Sequence, residues 1–436
     1  MSSEPKRTLT PTISRGLPDG TLVELLYNQD ERTTALAVSR PDGRVSVEPI
    51  LDLAGDERLV PYSATNNLIA TGCILLPSAV GAFPGKTVLL AEIRGFIHRY
   101  VDLSPLFEEI AAHYVLLTWV YDAFNELGYL RFRGDYGTGK TRALLAVGSL
   151  CYKPFFASGA STVSPIFHVL DAFGGTLVLD EADLRFSDAT ADLSKILNNG
   201  TVKGLPLLRT MSNRHRELNP RAFRVFGPKL VAMREGFSDR ALESRFLTEE
   251  TGGRILRSDI SIQVPDSLAA EALALRNKLL TWRFAARFSV SVDPTRVIAG
   301  IHPRLNQSAL ALLSLVDDST VRALIGDELV GEEARGLQER ASGAEAAMLV
   351  AVLETFADAS APNAAVSLIT ENFNRRLQDE PSRPVSNKWV GGFLRQRLHL
   401  RTMKTSGVYV VPLTERKRVD ALAQRYGVAE IRGDAA

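Results

Sequence analysis

The chain has 436 residues, 45% hydrophobic and 23% charged. That balance excludes wholesale disorder and, at about 100–200 residues per domain, implies two to four domains. Its net charge of +1 hides an asymmetry, because residues 361–436 carry 13 Lys/Arg against 7 Asp/Glu, which makes this stretch +6 and the remainder −5. A basic module on a mildly acidic body suits nucleic-acid contact, and a solvated face would also produce it. The two cysteines, Cys73 and Cys151, exclude a disulfide framework and a four-thiolate zinc site, and the six histidines have no ligand-like spacing. Apolar runs such as Tyr114–Tyr121 and Ala309–Val316 fall far short of the roughly 18–20 residues of a membrane span. The opening MSSEPKRTLT has no apolar leader. No membrane partner and a cytoplasmic location are expected.

Residues 1–12 are polar. From Gly20 to about Leu90, short runs rich in β-formers (Thr21–Tyr27, Thr34–Val38, Val45–Ile50, Thr87–Leu90) alternate with turn signals such as Pro41-Asp42-Gly43. They predict a small β-rich accessory domain over 1–95. A helix follows, with Ser104 as N-cap, Pro105 at its first position and an apolar stripe of Leu106, Ile110, Tyr114, Leu117, Tyr121 and Phe124.

The segment Gly134-Asp135-Tyr136-Gly137-Thr138-Gly139-Lys140-Thr141 fits G-x-x-x-x-G-K-[ST]. Glycines let the loop curl so that its N–H groups point at phosphates, and the next helix offers its N-terminus to the same anion. Lys140 would reach the β- and γ-phosphates, and the Thr141 hydroxyl would ligate Mg²⁺. The context agrees, with Tyr129–Arg133 reading as a strand and Ala143–Leu150 as a helix. Forty residues after Lys140, the apolar run Thr176–Leu179 ends in Asp180-Glu181, as a buried parallel strand delivering carboxylates to its C-terminal edge would. Asp180 would hold the magnesium through water, and Glu181 would be the base that activates the attacking water. The cofactors expected are therefore ATP and Mg²⁺, and the fold class α/β with a parallel P-loop sheet.

These motifs resemble those of the AAA+ superfamily. Pro228–Met233 looks like the next core strand, followed by Arg234 where the family usually carries Asn, Ser or Thr. Ala241-Leu242-Glu243-Ser244-Arg245-Phe246 resembles the family's Ser-Arg element, which implies that Arg245 reaches a nucleotide bound by the neighbouring subunit. Arg240 is the reserve candidate, and pairing of Arg245 with Glu243 or Glu249 is the alternative. Gly300–Asn306 opens a helix, Leu305–Val316, within an α-rich region that resembles the helical lid, with Arg304 as its nucleotide-sensing arginine. Asp180–Asp183, Ile196–Gly200, Phe226–Lys229 and Ser244-Arg245 further resemble the ATPase of phage- and plasmid-borne primase–helicase proteins. The resemblance covers about residues 95–330. It implies an ATPase core over 96–257 and a lid over 258–340.

Between the carboxylate strand and the next core strand, Leu205–Met211 and Arg221–Phe226 have β-like composition around a polar tip containing Asn219-Pro220. Arg209, Arg214, Arg216, Arg221 and Arg224 give five arginines in sixteen residues, opposed only by Glu217. In the ring motors that this domain resembles, an insertion here grips DNA, and pairing of the same arginines with carboxylates at the subunit interface is the alternative.

Residues 344–356, 365–377 and 386–398 predict three helices, followed by β runs at Leu400–Met403 and Val408–Val411. Three helices and a hairpin make a winged helix over 341–436. Asn387, Lys388, Arg395 and Arg397 would face a major groove, with Arg401 and Lys404 on the wing, while Val390, Phe393, Leu394 and Leu398 would be buried. Docking on a partner protein is the alternative. The sequence thus predicts an ATP-hydrolysing assembly, by the resemblance a hexameric ring, that acts on single-stranded or forked DNA. A replicative helicase of a mobile element comes first, and a DNA-bound switch or loader that recruits a partner without unwinding second.

Overall fold

The computed structural model of the chain describes residues 8–54, 56–158, 161–180, 188–212, 218–237, 239–254, 256–341, 343–357, 362–376 and 384–428. The chain divides into two compact units, Met1–Gly326 and Asp327–Ala436.

The first unit opens with seven strands: β1 (Thr8–Thr12), β2 (Ser14–Gly16), β3 (Leu22–Asn28), β4 (Thr33–Ser39), β5 (Val45–Glu48), β6 (Leu51–Asp52) and β7 (Glu57–Pro61). They form a four-stranded antiparallel sheet in the order β2-β3-β4-β5 and a three-stranded sheet in the order β1-β7-β6. Val23, Leu25, Leu36 and Val38 are fully buried in the same apolar cluster as Phe155, Phe167 and Leu177, so these strands share a core with the central sheet. After the short helix α1 (Asn67–Ala70) come α2 (Lys86–Tyr100) and α3 (Pro105–Trp119). The β-like run Thr87–Leu90 is therefore helical, contrary to its composition. Leu89, Ile93, Phe96, Ile97 and Tyr100 recur at helical spacing and all are buried, and this burial outweighs the weak β preference of four residues. Ser104 caps α3, its hydroxyl accepting from the Phe107 N–H at 3.2 Å, with Pro105 in the first turn.

The central sheet is built from β8 (Tyr129–Arg133), β9 (Phe155–Ser158), β10 (Leu177–Asp180), β13 (Lys229–Met233) and β14 (Phe246–Glu250). All five strands are parallel, in the order β14-β8-β13-β10-β9. Connecting them are α4 (Lys140–Gly148), α5 (Val163–Phe173), α6 (Asp188–Asn199), the antiparallel hairpin β11 (Leu207–Ser212) and β12 (Leu218–Phe223), and α7 (Arg240–Glu243). Helices α8 (Ser267–Ala286) and α9 (Pro303–Leu313) complete the unit, and the division between units falls within α10 (Ser319–Ala341). The second unit continues with α11 (Ala344–Ala357), β15 (Ala364–Ala365), α12 (Val366–Arg376), α13 (Asn387–Gln396), β16 (Met403–Thr405), β17 (Val408–Val411) and α14 (Arg416–Arg425). Its three strands pair antiparallel in the order β15-β17-β16. Its separate core includes Leu349, Ile369, Phe373, Val390, Leu394, Leu398 and Val419. No helix among the described residues is long and apolar enough to cross a membrane.

The end of α6 shows how tightly the sheet is tied to its connections. The last carbonyls of a helix have no partner within it and favour cations. Here Leu197 O accepts from the Tyr129 hydroxyl at 2.9 Å, and Asn198 O from Arg245 Nη1 at 2.8 Å. Lys229 Nζ, fully buried, donates to Gly227 O at 2.9 Å and Val225 O at 3.0 Å, and lies 3.5 Å from Gly200 O. Burial pulls the pKa of the Lys229 ammonium down to about 7 from its ordinary 10.5. Between those values the unfolded chain holds a proton that the folded chain gives up, so raising the pH favours folding. Lys229→Met should remove this contribution. The wild-type stability curve should rise from pH 7 toward 10 more steeply than the variant's, by on the order of 1 kcal/mol per pH unit in urea titrations. Parallel curves would contradict the placement.

Candidate nucleotide site

The strand β8 runs straight into the glycine-rich loop, and the loop into α4. Gly137 and Gly139 adopt φ values of 77° and 89°, which only glycine takes readily, and Gly139 caps α4 without a side-chain hydrogen bond. The first N–H groups of α4 therefore face the loop with no capping side chain among the described residues. Gly134 has a steric role: a Cβ there would lie 2.3 Å from Thr251 Oγ1 and 2.4 Å from Thr251 O. Thr251, just past β14, pins the loop, donating from its N–H and its hydroxyl to Arg133 O at 2.6 and 2.9 Å and meeting Thr138 Oγ1 at 2.7 Å. Asp135 O accepts from Thr138 Oγ1 at 2.8 Å and from Lys140 Nζ at 2.5 Å. Lys140 thus lies back on its own loop. Asp135 and Tyr136 are exposed, Tyr136 at 85%.

The Thr141 hydroxyl donates to Asp180 Oδ2 at 2.8 Å. Thr141 opens α4 after β8, and Asp180 ends β10, with β13 between the two strands. Two hard oxygens thus meet at the C-terminal edge of the sheet beside a loop of backbone N–H groups. That donor set fits magnesium, which takes one or two protein oxygens and fills its other positions with water and phosphate. Glu181 lies outside the described residues, so the structure places only its neighbour. Arg234 is exposed just beyond β13.

Arg245 and Arg304 lie elsewhere. Arg245 precedes β14, and its carbonyl accepts from the Tyr129 N–H at 2.9 Å, which puts it level with the start of β8. The five residues of β8 separate it from the loop by roughly 13 Å of strand. Its guanidinium donates to Asn198 O, to Ala241 O at 3.1 Å and to the Thr201 hydroxyl. Glu243 instead pairs with the buried Arg131 at 2.6 Å, and Glu249 accepts from Ser104 and from Arg254 at 3.2 Å. Arg304, in the first turn of α9, lines a small cavity of about 110 Å³ together with Arg245, Glu126 and Gln307. It is therefore not brought to the loop of its own chain, because α9 packs on the residues that enter β8 and β14, with Ser308 against Gly128 and its hydroxyl 3.4 Å from Ser244 O. Burial, and further the charge of Arg304, lower the pKa of Arg245 from its ordinary value. The side chain of Arg240 is outside the described residues.

In the hairpin, Arg209 pairs with Asp192 and lies 4.0 Å from the centre of the Phe167 ring. Arg221 and Arg224 share Asp171, at 3.2 and 3.3 Å. Arg214 and Arg216 fall in the undescribed tip. In the second unit, Asn387, Lys388, Arg395 and Arg397 are exposed on or just after α13, while Val390, Leu394 and Leu398 are buried. Arg395 donates to Thr402 Oγ1 at 2.9 Å, and Lys404 on β16 lies 5.9 Å from the Tyr409 ring centre. Phe393 is half-buried against Trp389, ring centres 5.0 Å apart.

No protein-family model matches the chain, and no curated protein sequence does. Among solved structures, the chain is similar to the apo NrS-1 C-terminal region (305–718), with 12% identity over 89% of this chain and 95% of that one and a TM-score of 0.39. It is also similar to the active helicase SCCmec type IV Cch, with 13% identity, 94% and 80% coverage and a TM-score of 0.38. A third is Cdc6p from Pyrobaculum aerophilum, with 11% identity, 74% and 95% coverage and a TM-score of 0.22. Similarity at this level carries no argument about activity.

Sequence reading missed Thr251, whose contact with Thr138 spans 113 residues, and no local signal marks it. Gly134→Ala should force Cβ into Thr251 and cost roughly 1–3 kcal/mol of stability in a denaturant titration. Adding Thr251→Gly should recover little, because the backbone carbonyl of residue 251 would still lie 2.4 Å from the new Cβ.

Proposed function

We propose that the chain hydrolyses Mg-ATP as an oligomer and uses the energy on DNA, as a helicase or translocase of a mobile element. The observation that carries the reading is the hydrogen bond from Thr141 to Asp180, which joins the ends of two distant motifs beside a glycine-rich loop. In this reading the N–H groups of Gly137–Thr141 and the Lys140 ammonium hold the β- and γ-phosphates. Thr141 and Asp180 hold the metal, which when bound supplies charge neutralisation to the phosphates. Glu181 takes the proton of the attacking water. Arg245 and Arg304, at the opposite edge of the sheet from their own loop, serve the nucleotide of a neighbouring subunit, so Arg304 acts beside Arg245 and not on its own chain's nucleotide. The second unit, in this reading, is a winged helix that meets DNA through Lys388, Arg395, Arg397 and Lys404.

The second reading, a DNA-bound ATP switch or loader, is favoured by the hairpin. Arg209 and Arg221 are paired with Asp192 and Asp171, which leaves the strands with less charge for gripping a moving backbone. Unwinding of a forked duplex supports the helicase. Slow, DNA-stimulated hydrolysis without strand separation supports the switch.

Lys140→Ala should lose nucleotide affinity, read by fluorescent-ATP titration. Glu181→Gln should bind ATP as well as wild type yet lose on the order of 10²-fold or more in turnover, because an amide cannot take the proton. Normal turnover by Glu181→Gln would remove the assigned base.

A further inference from the structure

A second cavity, of about 910 Å³, opens in the first unit at the edge of the central sheet opposite the glycine-rich loop. The residues that lead into four strands line it: Tyr121 and Asp122 before β8, Tyr152 and Lys153 before β9, Gly174 before β10 and Phe226 before β13. The N-terminal strands supply Arg15 and Tyr62, and the base of the hairpin supplies Lys203 and Arg224.

Its floor is built from ion pairs. Glu24, 2% exposed, accepts from Arg283 Nε at 2.7 Å and the Tyr152 hydroxyl at 2.8 Å, with Lys153 Nζ at 3.6 Å. Arg283 also pairs with Asp122 at 2.9 Å. Asp122 also takes Arg287 at 2.8 Å, so three cations share two carboxylates in a structural ion cluster. The walls and mouth differ. Tyr62, Tyr121 and Phe226 are only half-buried, although aromatic rings of that size are usually covered when they belong to a core. The pairs that these rings form are tilted or edge-on: Tyr62 to Phe173 at 5.6 Å and Tyr121 to Phe226 at 5.9 Å. At the mouth, Lys203 is exposed and donates to the Asp122 carbonyl at 3.2 Å. Arg224 is 81% exposed and shares its one carboxylate, Asp171, with Arg221. The cavity therefore offers aromatic walls within a cationic rim, and its volume lies toward the top of the range for ligand sites, about 300–1,000 Å³.

We propose that this cavity binds unstacked bases of single-stranded DNA, with the rings of Tyr62, Tyr121 and Phe226 against the bases and Lys203 and Arg224 on the phosphates. Aromatic faces within a basic groove are how single strands are held without sequence preference. A duplex does not fit, because its bases are stacked away inside it. The proposal rests on the reading of the chain as DNA-acting, and it adds a site separate from the hairpin tip and from the basic second unit.

The test uses the full chain and an oligothymidylate carrying 5-iodouracil. Photo-cross-linking and then peptide mass spectrometry should place cross-links at Tyr62, Tyr121 or Phe226. In fluorescence anisotropy, Tyr62→Ala should weaken binding about tenfold while Tyr62→Phe keeps it. Lys203→Ala with Arg224→Ala should lower the slope of log K against log salt by about 1.4, at about 0.7 per phosphate contact on single strands. If Tyr62→Ala does not fold, the wild-type cross-links decide the matter alone. Tight binding of the oligonucleotide with cross-links confined to residues 327–436 or the hairpin tip overturns the cavity proposal and leaves the DNA reading standing. The same result is expected if the cavity takes a protein segment. Absence of any binding by wild type overturns both.

Discussion

The hydrogen bond between Thr141 and Asp180 joins two strands that are not neighbours, since β13 lies between β8 and β10. At about 4.8 Å per strand the two ends start roughly 10 Å apart, and only the first turn of α4, leaning over β13, closes the gap. Everything assigned to the nucleotide depends on this crossing. It requires a parallel sheet, so that both strands end at one edge. It also requires a loop tight enough to start α4 at once, which is why Thr251 and the close approach at Gly134 matter.

The opposite edge has its own logic. Tyr129, Arg245 and Lys229 all turn to the last carbonyls of α6 or the residues just beyond, and α6 connects the carboxylate strand to the hairpin. An arginine that caps α6 in one state and reaches a neighbour's phosphate in another would change the hold on that helix. The geometry therefore links three things through one short stretch of chain: the strand that ends in Asp180, the hairpin, and Arg245.

Much of this was legible in the sequence, and unevenly. The glycine-rich loop and the strand ending in Asp180 were readable because their chemistry demands fixed residue types at fixed spacing. The cap of α3 at Ser104 follows from local hydrogen bonding. The hairpin strands follow from β-like composition flanking a polar tip. What failed had no local cause. The run Thr87–Leu90 is too short to distinguish strand from helix, and its buried partners decided for helix. Arg304 opens a helix as expected, but which edge of the sheet that helix packs against depends on the burial of α9 among elements far away in sequence. The pairing of Arg221 and Arg224 with Asp171 spans about fifty residues and leaves no trace in either segment.

Under the proposed function the two edges of one sheet belong to two different active sites, so turnover requires neighbours. Mixing Lys140→Ala with Arg245→Ala tests this most directly, with ATP hydrolysis measured against mixing ratio at a concentration where the wild type is assembled. Each variant alone should be nearly inactive, Arg245→Ala by on the order of 10³-fold. The mixture should regain activity that peaks near equal amounts, because some interfaces then join an intact loop to an intact arginine. Full turnover by a wild-type monomer, or activity of Arg245→Ala alone equal to wild type, would contradict it.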